Sequence, residues 1–161
     1  MQKSLPLKTD TTDRHARKVN WQVTPLSVQP SSSAKTIVLI EDNEEDLQYW
    51  SKTLRSAPFN YTVLESSDAQ SGLELCRERA IDCVLLDLDM PESGFHVLLE
   101  LIPNRSHPQI PVIILTHLPH PNLWEMAKHN GAQACLLKQR TSPQELHCAI
   151  QTAITSVKSH N

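Results

Sequence analysis

Glycine is scarce in this chain: the 161 residues hold three, Gly72, Gly94 and Gly131. A loop that cradles phosphates with backbone amides needs several glycines close together at a strand-to-helix turn. Three scattered ones argue against a nucleotide-binding enzyme. Long apolar runs are also missing. No stretch approaches the roughly 20 residues that a membrane-crossing helix requires, and residues 1–10 lack the apolar core of a secretory signal. A cytoplasmic protein with no membrane partner is expected. The four cysteines, Cys76, Cys83, Cys135 and Cys148, form no C-x-x-C pair and each lies in an apolar pattern, so four reduced, buried thiols are expected.

Positive charge is sparse outside the beginning of the chain. Residues 1–35 carry six Lys/Arg against Asp10 and Asp13, a surplus of four positive charges, which leaves −7 for the remainder within a total of −3. An acidic body argues against direct nucleic-acid binding. Residues 1–35 show no sustained periodicity and end in Gln-Pro-Ser-Ser-Ser, so they are read as a flexible basic arm and linker. Weak alternation around Trp21, Val23, Leu26 and Val28 leaves open a strap laid on the body.

From residue 36 the pattern changes. Five short β-rich runs, 36–40, 61–65, 83–86, 112–115 and 134–137, alternate with helical patterns. The first and fourth are apolar almost throughout, as in parallel strands covered on both faces. The first helix carries Leu47, Trp50 and Leu54. The second begins near Ser67 with Ala69, Leu73 and Cys76. The third spans about 95–102 and is halted by Pro103, and the fourth ends at Asn130-Gly131. The fifth opens with a Ser142/Glu145 capping box and Pro143 at its first position, then places Leu146, Ala149, Ile150, Ala153 and Ile154 on one face. Fivefold β-α alternation predicts an α/β fold, a doubly wound five-stranded parallel sheet with five helices. Such folds carry their chemistry at the carboxyl ends of the strands.

Those ends are polar. The first strand runs into Glu41-Asp42, the third ends at Asp87, the fourth at Thr116 and the fifth at Lys138. Converging carboxylates repel one another unless a cation joins them. All-oxygen donors suit Mg²⁺, with Mn²⁺ as its substitute, over zinc. Lys138 adds a second positive charge, so the site is suited to a metal and an incoming dianion. Singly, each residue has a plainer reading: Glu44 to Asp46 as acids favoured by a helix N-terminus, Asp87 as a cap, Thr116 as a strand end, Lys138 as a surface charge. Coincidence at four ends of one sheet is the weaker explanation.

The segments Ile37-Val-Leu-Ile-Glu-Asp-Asn, Val84-Leu-Leu-Asp-Leu-Asp-Met-Pro, Val112-Ile-Ile-Leu-Thr and Gly131-Ala-Gln-Ala-Cys-Leu-Leu-Lys resemble the response-regulator receiver family of two-component signalling. The resemblance implies the flavodoxin-like strand order 2-1-3-4-5 and a receiver domain over 36–156, followed by a tail at 157–161. It implies Asp87 as phosphoacceptor and Mg²⁺ held by Asp42 directly, Glu41 through water, Asp87, and the backbone carbonyl of Asp89. Thr116 and Lys138 would contact the phosphoryl group. The donor would be a histidine kinase or a histidine phosphotransfer protein, and the output a contact with a downstream protein.

The chain departs from the family pattern at several places. Cys135 stands where an aromatic ring is usual, Gln139 where proline is usual, and His117 where a small residue is usual. The segment Met90-Pro-Glu-Ser-Gly94 is one residue short. These departures predict a switch without the usual Thr-aromatic coupling and crowding by His117. Separately, Asp89, two residues beyond Asp87, is expected to affect hydrolysis of the phosphoryl group by charge and water placement. His117-Leu-Pro-His120 is read as a loop rather than a metal pair, and Trp124 either as core or as a partner surface. The expected function is a single-domain phosphoryl-accepting receiver, not an enzyme. The alternative is a receiver-fold adaptor that signals without phosphate.

Overall fold

The computed structural model describes residues 34–56, 58–91, 94–101 and 110–158. The basic arm through residue 33, the shortened loop at 92–93, Pro103 and the end of the tail therefore lie outside the described residues.

Five strands and five helices alternate: β1 (Thr36–Ile40), α1 (Glu44–Arg55), β2 (Thr62–Ser66), α2 (Ala69–Glu78), β3 (Cys83–Asp87), α3 (Gly94–Leu101), β4 (Val112–Thr116), α4 (Pro121–His129), β5 (Ala134–Leu137) and α5 (Pro143–Lys158), with one 3₁₀ turn, Lys138–Arg140, before α5. The sheet is parallel throughout, in the order β2-β1-β3-β4-β5. This is the expected topology. The three inner strands are almost wholly buried, whereas the edge strands β2 and β5 are only partly so. That difference explains their sequences, since a strand covered on both faces must be apolar at every position. Edge strand β2 lies one residue later than its apolar run suggests. Tyr61 stays outside the ladder, bonding Leu54, while Thr62 takes the carbonyl of Lys35.

Alternation along the strands sorts the core into two layers. Ile37, Leu39, Cys83, Leu85, Ile113 and Leu115 face Trp50 and Leu54 of α1 and Leu146, Ile150, Ala153 and Ile154 of α5. Val38, Ile40, Val84, Leu86, Val112 and Ile114 face Leu73 of α2, Val97 and Leu98 of α3 and Ala127 of α4. The helix starts follow from their caps. Asn43 accepts the Asp46 amide, Asp68 that of Ser71, and Ser142 with Glu145 forms the reciprocal box. Gly131 ends α4 in the left-handed region, at φ 90°.

The expectation of four buried thiols needs correction: Cys83 and Cys135 are buried, Cys76 is half-buried and Cys148 is exposed. Cys148 lies two residues past Leu146, on the opposite side of α5 from the stripe that faces the sheet. No helix among the described residues is long and apolar enough to cross a membrane.

Candidate functional site

The chain leaves β1 toward β2 on one side and leaves β3 toward β4 on the other, so a crevice opens between the carboxyl ends of β1 and β3. Glu41, just beyond β1, and Asp87, the last residue of β3, flank it and are 0% and 2% exposed. Asp42 stands exposed at the rim. One carboxylate oxygen from each of Glu41, Asp42 and Asp87 lies within 4.8 Å of the others. Close approach of α3 to this crevice needs Gly94, because a Cβ there would come within 2.9 Å of the Leu88 Cα and 3.0 Å of the Asp87 carbonyl oxygen.

Lys138 comes in from the far edge of β5. Its side chain is 3% exposed, with Nζ 2.6 Å from Glu41 Oε2, 2.8 Å from Asp46 Oδ2 and 3.2 Å from Asp87 Oδ2. Burial alone would discharge this ammonium, but bonds to Asp46 and Glu41 and the field of Asp87 outweigh it and raise its pKa well above the usual lysine value. Glu41 is pushed up to about 7, chiefly by burial, against the opposing bond from Lys138 and with the nearby charge of Asp87 adding to the rise. Glu41 Oε2 is paired with Lys138 Nζ at 2.6 Å, an ammonium that it shares with Asp46 and Asp87. Three convergent carboxylates, all oxygen donors, with a single shared ammonium against them, fit a hard divalent cation such as Mg²⁺.

Asp46 is a member of this cluster that sequence reasoning missed. Its acidity seemed explained by the first turn of α1. Yet it bridges Lys138 and the His117 ring, with Oδ2 at 2.8 Å from each. Its carboxyl falls below the usual range because these two bonds outweigh burial. No local signal could have found a pairing across 92 residues.

Thr116 is buried at the end of β4, as expected, but its hydroxyl does not point its proton at Asp87. It donates to Asp89 Oδ1 at 2.6 Å and accepts the Leu118 amide at 3.0 Å. Asp89 is bonded to Asp87 through its own amide, which donates to Asp87 Oδ1 at 2.8 Å. His117, with a side chain 53% exposed, is tied to the cleft through its ring contact with Asp46. Its amide donates to Asp89 Oδ2 at 2.6 Å and its carbonyl accepts from Gln139 at 3.0 Å. Of the three single-residue departures from the family pattern, His117, Gln139 and Cys135, the first two touch. Cys135 is buried on β5, its thiol pushed up to about 11 mainly by burial, with a Trp124 hydrogen bond opposing the rise. Trp124 is 54% exposed, which favours the partner-surface reading over core. Together with Lys128, Ala132 and Gln133 it borders a groove of about 280 Å³ beside Cys135. Among the described residues the sole group of three or more metal-capable side chains is Glu41, Asp42 and Asp87, so the His117/His120 pair recruits no further ligand.

Comparison with known proteins points to one family. The family described as "Response regulator receiver domain" matches residues 37–151. The polar-differentiation response regulator DivK of Brucella ovis is 26% identical over 111 residues, covering 68% of this chain and 89% of that protein. A probable cyclic di-GMP phosphodiesterase of Vibrio cholerae is 29% identical over 109 residues, but these cover 67% of this chain and only 24% of that longer protein. The solved receiver domain protein of Clostridium thermocellum superposes with a TM-score of 0.68 at 30% identity, covering 79% of this chain and 99% of that one.

Proposed function

This chain belongs to the response regulator receiver domain family, and we propose that it takes a phosphoryl group onto Asp87 and passes the signal on through protein contacts. The donor on this reading is a phosphohistidine of a histidine kinase or a histidine phosphotransfer protein. An Asp87 carboxylate oxygen attacks phosphorus, a P–O bond forms, the P–N bond breaks, and the leaving imidazole takes up a proton. The observation that carries the reading is the meeting of Glu41, Asp42 and Asp87 within 4.8 Å, with the Lys138 ammonium 3.2 Å from Asp87. A bound Mg²⁺ would neutralise charge on the phosphoryl oxygens. Glu41, Asp42, Asp87 and the backbone carbonyl of Asp89 are the groups that would hold it. Lys138 balances the charge of the added group, and Thr116 supplies a hydroxyl proton once it leaves Asp89. The receiver unit on this reading spans 36–156, works in the cytoplasm, and contacts proteins rather than nucleic acid.

Intact mass after treatment with acetyl phosphate and Mg²⁺ tests the proposal. Wild type is expected to gain one phosphoryl group and Asp87→Asn none. An unmodified wild type would sink it. The second reading, a receiver-fold adaptor that works without phosphate, draws on the commitment of the Thr116 hydroxyl to Asp89 and on Cys135 in the aromatic position. It would take over in that event.

A further inference from the structure

The β4–α4 turn is held at several points by side chains from three separate places in the chain. Asp89, after β3, accepts the Thr116 hydroxyl on one oxygen and the His117 amide on the other, each at 2.6 Å. Asp46, in the first turn of α1, takes the His117 ring at 2.8 Å. Gln139, after β5, donates to the His117 carbonyl at 3.0 Å. A hydroxyl has one proton to give, and that of Thr116 is spent on Asp89. A phosphoryl oxygen on Asp87 cannot receive it until Asp89 lets go.

We propose that Asp89 is a latch on Thr116, a positioning residue that keeps the hydroxyl away from Asp87 until a phosphoryl group displaces it. This rests on the reading of Asp87 as phosphoacceptor. Release has a physical cause in the same geometry. The Asp89 amide is hydrogen-bonded to Asp87, so the Asp89 carboxylate sits two residues from the place where a dianion would arrive, and like charges at that range repel in a half-buried cleft. Phosphorylation would push the carboxylate off Thr116 and His117 together, freeing the hydroxyl for the phosphoryl oxygens. The turn that carries Leu118, 55% exposed, would then be released at its inner end while Asp46 and Gln139 still hold His117. The latch thus couples Asp87 to the β4–α4 turn through a carboxylate and needs no aromatic ring at position 135.

The test uses the full chain and has two arms. In the first, amide hydrogen exchange of unphosphorylated protein is followed by NMR, and Asp89→Ala is expected to speed exchange at His117 by about tenfold, the order of one lost hydrogen bond to a charged acceptor. Unchanged exchange at His117 would overturn the latch. In the second arm, the rate of phosphoryl uptake from acetyl phosphate with Mg²⁺ is measured in a double-mutant cycle. Asp89→Ala is expected to accelerate uptake about tenfold, and that gain is expected to vanish when Thr116→Ala is added. A gain that persists without the Thr116 hydroxyl would mean that Asp89 acts by its charge alone, and the latch falls. Asp89→Asn, which keeps the side-chain shape and one neutral acceptor, is expected to lie between wild type and Asp89→Ala in both arms; behaviour identical to wild type would also overturn it. Should no variant accept phosphate, the phosphoacceptor reading fails, whereas the exchange arm still decides whether Asp89 holds the turn.

Discussion

Two polar networks cross the layers of this molecule, and they are built on opposite principles. One is made of two sets of bonds, the first between α1 and β2, the second between Tyr61, just before β2, and α5. Ser51 donates to Glu65, Arg55 reaches Ser51, Glu65 and the Val63 carbonyl, and Tyr61 meets His147 Nδ1 at 2.6 Å while accepting from Gln151 at 3.0 Å. Donors and acceptors are matched there. Glu65 is held below the ordinary carboxylate range, first by Ser51 and then by Arg55 against modest burial. The other network is the cleft, where Glu41, Asp46 and Asp87 share the one ammonium of Lys138 and Asp42 adds a further carboxylate beside Glu41 and Asp87. Glu41 is pushed up rather than down. The first network is balanced within the chain, whereas the cleft holds more carboxylates than cations, an imbalance that a bound cation would relieve.

The strongest way to break this contrast is Lys138→Met. It strips the shared counter-ion from buried Glu41 and Asp87, and removing one partner of a buried pair costs about 3 kcal/mol or more. Urea unfolding should show that loss, and millimolar Mg²⁺ should restore part of it in the variant, because a divalent ion neutralises the same acids. No effect of Mg²⁺ on the variant would mean that the acids do not act as one cluster. On the satisfied side, Tyr61→Phe leaves His147 and Gln151 short of a partner and should cost about 1 kcal/mol, with no change in any effect of Mg²⁺. The smallest expected effect is that of Glu65→Gln. Its carboxylate is partly exposed and its ion pair is screened, so the loss at neutral pH should stay below about 1 kcal/mol. The sign with pH is set by the lowered pKa. The contribution is present above the ordinary glutamate value of 4.5 and is lost as pH falls through the depressed value of the folded state. Wild type and variant should therefore converge in acid; a gap that widens there would mean that Glu65 is not held by Ser51 and Arg55.

How far the chain could be read in advance differed between elements. The inner strands were legible because burial on both faces forces continuous apolar runs, as at Ile37–Ile40 and Val112–Leu115 of the sequence. α5 was legible down to its cap, since Ser142, Pro143 and Glu145 are local signals. The edge strand β2 was displaced by one residue, because its limits come from the ladder with β1 rather than from its own apolar content. Cys148 was misjudged because an apolar residue type says less than the angle at which the helix presents it.

In the cleft the same division holds. Glu41, Asp87, Thr116 and Lys138 could be named from the chain because each stands at the end of a strand, and in a parallel sheet those ends share one edge. Asp46 joining Lys138, and Asp89 accepting the hydrogen bond of the Thr116 hydroxyl, could not. Periodicity and capping are written in neighbouring residues, within a turn or two of chain, and so the sequence by itself determined the elements, their order of alternation and the edge on which the polar residues meet. Which carboxylate faces which donor depends on side-chain directions from strands and helices that are far apart in the chain, and only the packed structure decided it.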